Sequence, residues 1–134
     1  MEQAGVEGRE LVEELARRFM SGDREGAAAL FHPDIRVQQP ASLPHGGWHD
    51  GADGMAQMGA EFARHWDRTI TNPRISGGAD WALQVTEQRF TAKATGRSVT
   101  MDVVELFAFA DGRISEIRVF QHDTYAMMAT LDQA

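Results

Sequence analysis

The spacing of apolar residues changes once along the chain. In the first half they recur every three or four residues, and in the second half every two. Leu11, Val12, Leu15, Ala16, Phe19 and Met20 make one stripe with Glu and Arg opposite, which predicts a helix over residues 8–21 ended by Gly22. Asp23 is placed to cap a second short helix over residues 24–31, and Pro33-Asp34 breaks the pattern. Residues 35–39 alternate as a short strand stopped by Pro40. A loop with Pro44, Gly46, Gly47 and Gly51 follows. A third helix over about residues 52–67 carries Met55, Met58, Phe62, Ala63 and Trp66 on one stripe. Four strands are then predicted over 69–76, 79–92, 97–110 and 113–122. They are separated by Gly77-Gly78, Gly96 and the hairpin signal Asp111-Gly112. Residues 124–131 end the pattern as a short helix, with Met127, Met128 and Leu131 on its apolar side and Asp123 or Thr124 as cap.

Helices first and a run of strands afterwards imply an α+β domain rather than βαβ units. The expected architecture is a curved, mainly antiparallel sheet packed on three helices of the N-terminal half, with a short C-terminal helix. Residues 1–134 hold no repeat or linker, so one domain is expected.

The alternation also locates polar groups on apolar faces. On the strand 97–110 one parity gives Val99, Met101, Val103, Glu105, Phe107 and Phe109. Glu105 is the single carboxylate on that face. It must be paired, protonated or in contact with water in a cavity, because an unpaired buried carboxylate is costly. Gln39 shares parity with Ile35 and Val37, and Gln121 shares parity with Ile117 and Val119. On the strand 79–92, Trp81, Leu83 and Val85 share parity with Glu87 and Arg89. Either these polar groups sit at strand ends and bond locally, or they line a pocket. On the opposite parity Val104, Leu106 and Phe120 form a partly apolar outer face, which suggests a homodimer through that face.

Composition narrows the function. The 134 residues carry a formal net charge of −7 and no Lys/Arg cluster larger than Arg17-Arg18, which argues against nucleic acid. No cysteine is present, so disulfides, thiolate nucleophiles and Cys-based zinc sites are excluded, and the expectation is a cytoplasmic protein. The segment before residue 10 is polar and does not read as a signal peptide. No apolar run approaches the roughly 20 residues of a membrane helix. His45 and His49 have a metal-like spacing, but Gly46-Gly47 makes the segment a loop, so no metal is expected. No phosphate-binding glycine loop or Gly-x-Ser-x-Gly is present, and no cofactor is expected.

Several loose motifs then line up. They are Met20-Ser21-Gly22-Asp23, residues 29–35 (Ala-Leu-Phe-His-Pro-Asp-Ile), Val37-Gln38-Gln39-Pro40, and Leu43-Pro44-His45-Gly46-Gly47-Trp48. Residues 104–114 and Ile117-Arg118-Val119-Phe120 complete the set. In this order the chain resembles the SnoaL-like and ketosteroid-isomerase-like members of the nuclear-transport-factor-like superfamily. The resemblance implies a cone-shaped half-barrel. It does not fix a reaction, since this fold hosts isomerases, cyclases, dehydratases, epoxide hydrolases and binders. Gln39 falls where ketosteroid isomerases carry their aspartate base, and Leu15 near their tyrosine donor. Val119 falls where cyclases and epoxide hydrolases carry an acid. Glu105 matches the isomerases' second acid, a carboxylic acid that apolar neighbours keep neutral so that it can donate a hydrogen bond.

The function these residues imply is binding of a hydrophobic carbonyl compound, with isomerase, cyclase or dehydratase chemistry. Glu105 would be the acid, Gln39 would orient the ligand and His45 would shuttle a proton. Leu15, Phe19, Trp48, Met55, Phe62, Trp66, Met101, Phe107, Val119 and Gln121 would contact the ligand. The alternatives are a non-catalytic binder or a dimerisation module of the same fold.

Overall fold

The computed structural model describes residues 7–132. The polar segment read against a signal peptide lies largely outside them. Among the described residues there are four helices and six strands, in the predicted order apart from the added β2: α1 (Glu7–Met20), α2 (Arg24–Ala28), β1 (Phe31–Gln39), β2 (Gly47–Asp50), α3 (Gly51–His65), β3 (Trp66–Gly77), β4 (Trp81–Ala92), β5 (Ser98–Ala110), β6 (Arg113–Gln121) and α4 (Thr124–Ala129). Asp23 caps α2 by accepting from the Gly26 amide, and Asp123 caps α4 by accepting from the Ala126 amide. Asp111 and Gly112 both take positive φ, 54° and 73°, and close the β5–β6 hairpin. Among the described residues no helix is long and apolar enough to cross a membrane.

The strands form one curved sheet in the order β2-β1-β6-β5-β4-β3, with β1 and β6 parallel and every other pair antiparallel. Helices α1, α3 and α4 pack on its concave face, and α2 packs on α1.

Five sequence expectations need correction, the last being the parity of β4. The second helix stops at Ala28, and Phe31 opens β1 instead of closing the helix. Pro33-Asp34 lies inside that strand, where the register to β6 shifts between Phe31 and Arg36; a bulge is where a strand tolerates proline. The loop after Pro40 contains the short edge strand β2, paired to β1. Trp66 begins β3 and is not the last residue of the helical stripe.

The parity of β4 matters most. Its inward residues are Ala82, Gln84, Thr86, Gln88, Phe90 and Ala92, while Trp81, 49% exposed, points outward with Leu83, Val85, Glu87 and Arg89. Pairing with β5 decides this. Gln84 lies directly opposite Glu105, and Thr86 opposite Val103, so each pair shares a face.

Two apolar clusters fill the concave side. One joins Val12 of α1 to Ile35, Val37, Ala82, Phe107, Ile114 and Ile117. The other holds Leu43, Trp66, Phe90, Ala92, Met101, Val103 and Met127.

Candidate functional site

The space between the clusters is not filled. A cavity of about 210 Å³ lies there, more than ten times the roughly 10–15 Å³ that one water needs. Its apolar wall comes from Leu15, Ala16, Phe19 and Met20 of α1, Phe31 and Val37 of β1, Met55 and Met58 of α3, Ile70 and Pro73 of β3, and Ile117 and Val119 of β6. Its polar wall is Gln39, Arg68, Gln84, Thr86, Gln88 and Glu105. Phe19, Met20, Arg68 and Pro73 are exposed and mark its mouth. A chamber of about 40 Å³ adjoins it, lined by His45, Phe62, Phe90, Val103 and Gln121 together with Gln39, Arg68, Gln88, Glu105 and Val119 of the main cavity.

Glu105 stands at the junction, in mid-strand on the inward face of β5. Its backbone is fixed on both sides by ladders to β4 and β6. Gln84 Nε2 donates to its Oε1 at 3.1 Å. Glu105 is half-buried, and the surface it keeps faces the two chambers. Desolvation raises its carboxyl pKa above the ordinary value, and the Gln84 hydrogen bond and the Arg68 charge offset this only in part. The group is therefore displaced towards its neutral, proton-donating form.

His45 is 4% exposed and sits in the loop before β2. Phe62 and Trp66 meet its ring edge-on at 5.3 and 6.0 Å between centroids. Burial lowers its pKa to about 4, with the positive fields of His49, Arg68 and His65 acting the same way and Glu61 opposing. The ring is thus neutral at neutral pH, and its Nδ1 is buried with no hydrogen-bond partner among the described residues. His49 does not join it at a common centre, because His49 Nε2 bonds to the His45 carbonyl oxygen at 2.8 Å. Two further buried acceptors have no partner among the described residues, Gln84 Oε1 and Gln121 Oε1. Gln39 spends one amide hydrogen on the Met58 sulfur at 3.4 Å, a weak acceptor. Unpaired polar atoms in so small a space are unusual in a finished core and normal in a binding site.

The structure thus brings Glu105, Gln39, Leu15, Phe19, Met55 and Val119 to the main cavity, and His45, Phe62 and Gln121 to the adjoining chamber. Four expected ligand contacts lie elsewhere. Trp48 is on the edge strand β2, exposed, with the Arg36 guanidinium 4.0 Å from its ring centroid. Trp66, Met101 and Phe107 are buried inside the clusters and line neither chamber. The sequence reading missed Arg68, Gln84, Thr86 and Gln88. The signal for Arg68 was present, since it shares parity with Trp66 and Ile70 on β3. The three β4 residues become legible only through their register with β5.

An open curved sheet closed by helices on one face, with a cavity between two cores, defines a cone-shaped α+β fold. The chain matches the SnoaL-like domain over residues 12–117 and belongs to that family. Solved structures agree on the fold. An NTF2-like protein from Burkholderia xenovorans LB400 superposes with a TM-score of 0.82 at 20% identity, covering 98% of this chain and 100% of its own. TerC, co-crystallised with polyporic acid, gives 0.80 at 20% identity over 93% and 98%. A Mesorhizobium loti protein named as a candidate SnoaL-like polyketide cyclase gives 0.64 at 24% identity over 83% and 96%. Among curated proteins none matches the chain.

Proposed function

We propose that this SnoaL-like protein binds a hydrophobic carbonyl compound and polarises its carbonyl with Glu105, as an isomerase, cyclase or dehydratase does. The observation that carries this reading is the Glu105 carboxyl, which is pushed towards its neutral form beside an apolar cavity and has one oxygen engaged by Gln84. In its protonated form an acid fixed in mid-strand can donate to a carbonyl oxygen. That bond strengthens as charge builds on the oxygen during enolisation, ring closure or loss of water. Val37, Ile117, Val119, Met55 and Met58 exclude water around it. Neutral His45 offers an acceptor in the adjoining chamber, and the Gln39 amide orients the ligand without acting as a base. Structural neighbours named as polyketide cyclases are in keeping with a carbonyl-rich apolar substrate.

The test uses benzalacetone, a phenyl enone, labelled with ¹³C at its carbonyl. Bound to the wild type, its carbonyl resonance moves downfield of its position in water. Glu105→Leu retains the ketone with affinity lowered by roughly tenfold or less, the worth of one hydrogen bond, and the downfield shift disappears. An equal shift in both proteins, or no binding by the folded wild type at millimolar ketone, overturns the proposal. Binding with the shift but without turnover of any enone, β-diketone or β-hydroxyketone supports a non-catalytic binder, the reading that Gln39 in place of a base favours.

A further inference from the structure

Among the described residues Arg68 is the one cation in the lining of either chamber. It sits on the inward face of β3 between Trp66 and Ile70. Among the described residues its side chain has no ion pair and donates no hydrogen bond, although the chain holds 20 acidic residues against 13 basic ones. Carboxylates of the neighbouring segment are engaged elsewhere: Glu61 with Arg64 and His65, and Asp67 with Lys93. Glu105 is the other ionisable partner in the main cavity, and no ion pair joins the two. What Arg68 does touch is the face of Phe62, with the guanidinium carbon 5.0 Å from the ring centroid. Stacking uses the flat face of the group and leaves its in-plane N–H donors free.

We infer that the cavity is selective for a ligand bearing an anionic oxygen, either a carboxylate or an enolate, conjugated to the carbonyl that Glu105 addresses. This rests on the reading that the cavity binds a carbonyl compound. The chemistry follows from the fork of donors. A guanidinium holds two oxygens of a planar anion at once, with charge-assisted bonds about twice as strong as neutral ones. Arg68 lines both chambers, as Glu105 does, so one planar conjugated ligand spans the two groups. A stem laid on Phe62 only to cover apolar surface would show no preference for charge.

The experiment compares cinnamate with benzalacetone, which has the same shape but carries a methyl group where cinnamate has its second oxygen. Calorimetry at low salt is expected to show wild type binding cinnamate about tenfold or more tightly than the ketone, with the advantage shrinking as salt is added. Arg68→Met keeps the packing on Phe62 and brings the ratio to about one. If circular dichroism shows that variant unfolded, Arg68→Gln replaces it. Benzoylacetone separates the two anions. Binding that tightens as its enol ionises, in wild type but not in the variant, assigns an enolate, whereas a response to cinnamate alone assigns a carboxylate. Equal affinity of wild type for cinnamate and ketone together with no tightening of benzoylacetone as its enol ionises, or responses to both anions unchanged by Arg68→Met, overturns the inference. In that case a Glu105-dependent carbonyl shift on bound ketone leaves the proposed function standing. If neither compound binds the folded wild type, both fall.

Discussion

The same concave face is finished in two ways. At Trp66 and Thr130 the polar groups are paired. The ring is 1% exposed, its Nε1 donates to Thr130 Oγ1 at 2.9 Å, and that hydroxyl donates onward to the Met127 carbonyl at 2.6 Å. In the space between the clusters, Gln84, Gln121 and His45 each keep a buried atom with no partner among the described residues, around a cavity far larger than the small voids of a packed core. Both regions face inward from the same strands. The difference lies in what those strands place there: aromatic and sulfur side chains at one end, amides and a carboxylate at the other. Order and satisfaction mark the part that holds the fold. Unspent hydrogen-bonding capacity marks the part that waits for something else.

Truncation is the bluntest way to break this contrast. Trp66→Ala should cost about 3–5 kcal/mol, as deletion of a large buried aromatic does, and should also strand the Thr130 hydroxyl without a donor. Phe19→Ala removes a ring of the cavity rim that is 49% exposed, and should cost less than about 1 kcal/mol. Urea unfolding of the two variants at pH 7 measures both. Similar losses would mean that the cavity wall is as much core as the Trp66 cluster.

A second contrast lies in pH. The folded pKa of His45, about 4, is below its unfolded value of 6.5. The unfolded chain therefore takes the proton first. The stability this histidine contributes is complete above pH 6.5 and is lost as pH falls towards 4. At ~1.4 kcal/mol per unit, the loss is about 3 kcal/mol. The groups around the ring are His49, Arg68 and His65, which oppose its protonation, and Glu61, which favours it. His45→Leu should flatten the dependence of the urea midpoint on pH over that window. The lowered carboxylates Glu14 and Glu61 titrate in both proteins, so the difference between the curves isolates His45. Parallel curves would show that the ring is solvated and not held in a dry chamber.

How far the sequence carried this picture depended on what each signal measures. Alternation and the Asp111-Gly112 turn report the local backbone, and all four late strands emerged within a few residues of their bounds. Glu105 was legible for the same reason, as a charge on an otherwise apolar parity. Gln84, Thr86 and Gln88 were not, because their parity looks wet while Trp81, Leu83 and Val85 look like core. Only the register Gln84 opposite Glu105 turns that strand the right way round. Trp66, Met101 and Phe107 were misjudged differently. A large apolar residue on an inward face is equally suited to line a cavity or to plug one, and the depth at which α3 and α4 pack decides which.

The smallest predicted effect has the most informative sign. Glu105 carries a folded pKa raised above 4.5 by desolvation. A raised value means that its contribution is fully present below pH 4.5 and is lost as pH rises through the folded pKa. Glu105→Gln keeps the shape, stays neutral at every pH and still accepts from Gln84. The variant should therefore melt a few degrees above wild type at pH 8, and the gap should close towards pH 4.5. Arg68 and Gln84 pull the other way, since both favour the charged carboxylate. If their pull exceeded the desolvation, the wild type would be the more stable protein at pH 8 and Glu105 would be the anionic half of a structural pair with Arg68. A gain in stability on removing the acid would instead mean that the fold bears a cost for it at neutral pH, which a purely structural residue has no reason to impose.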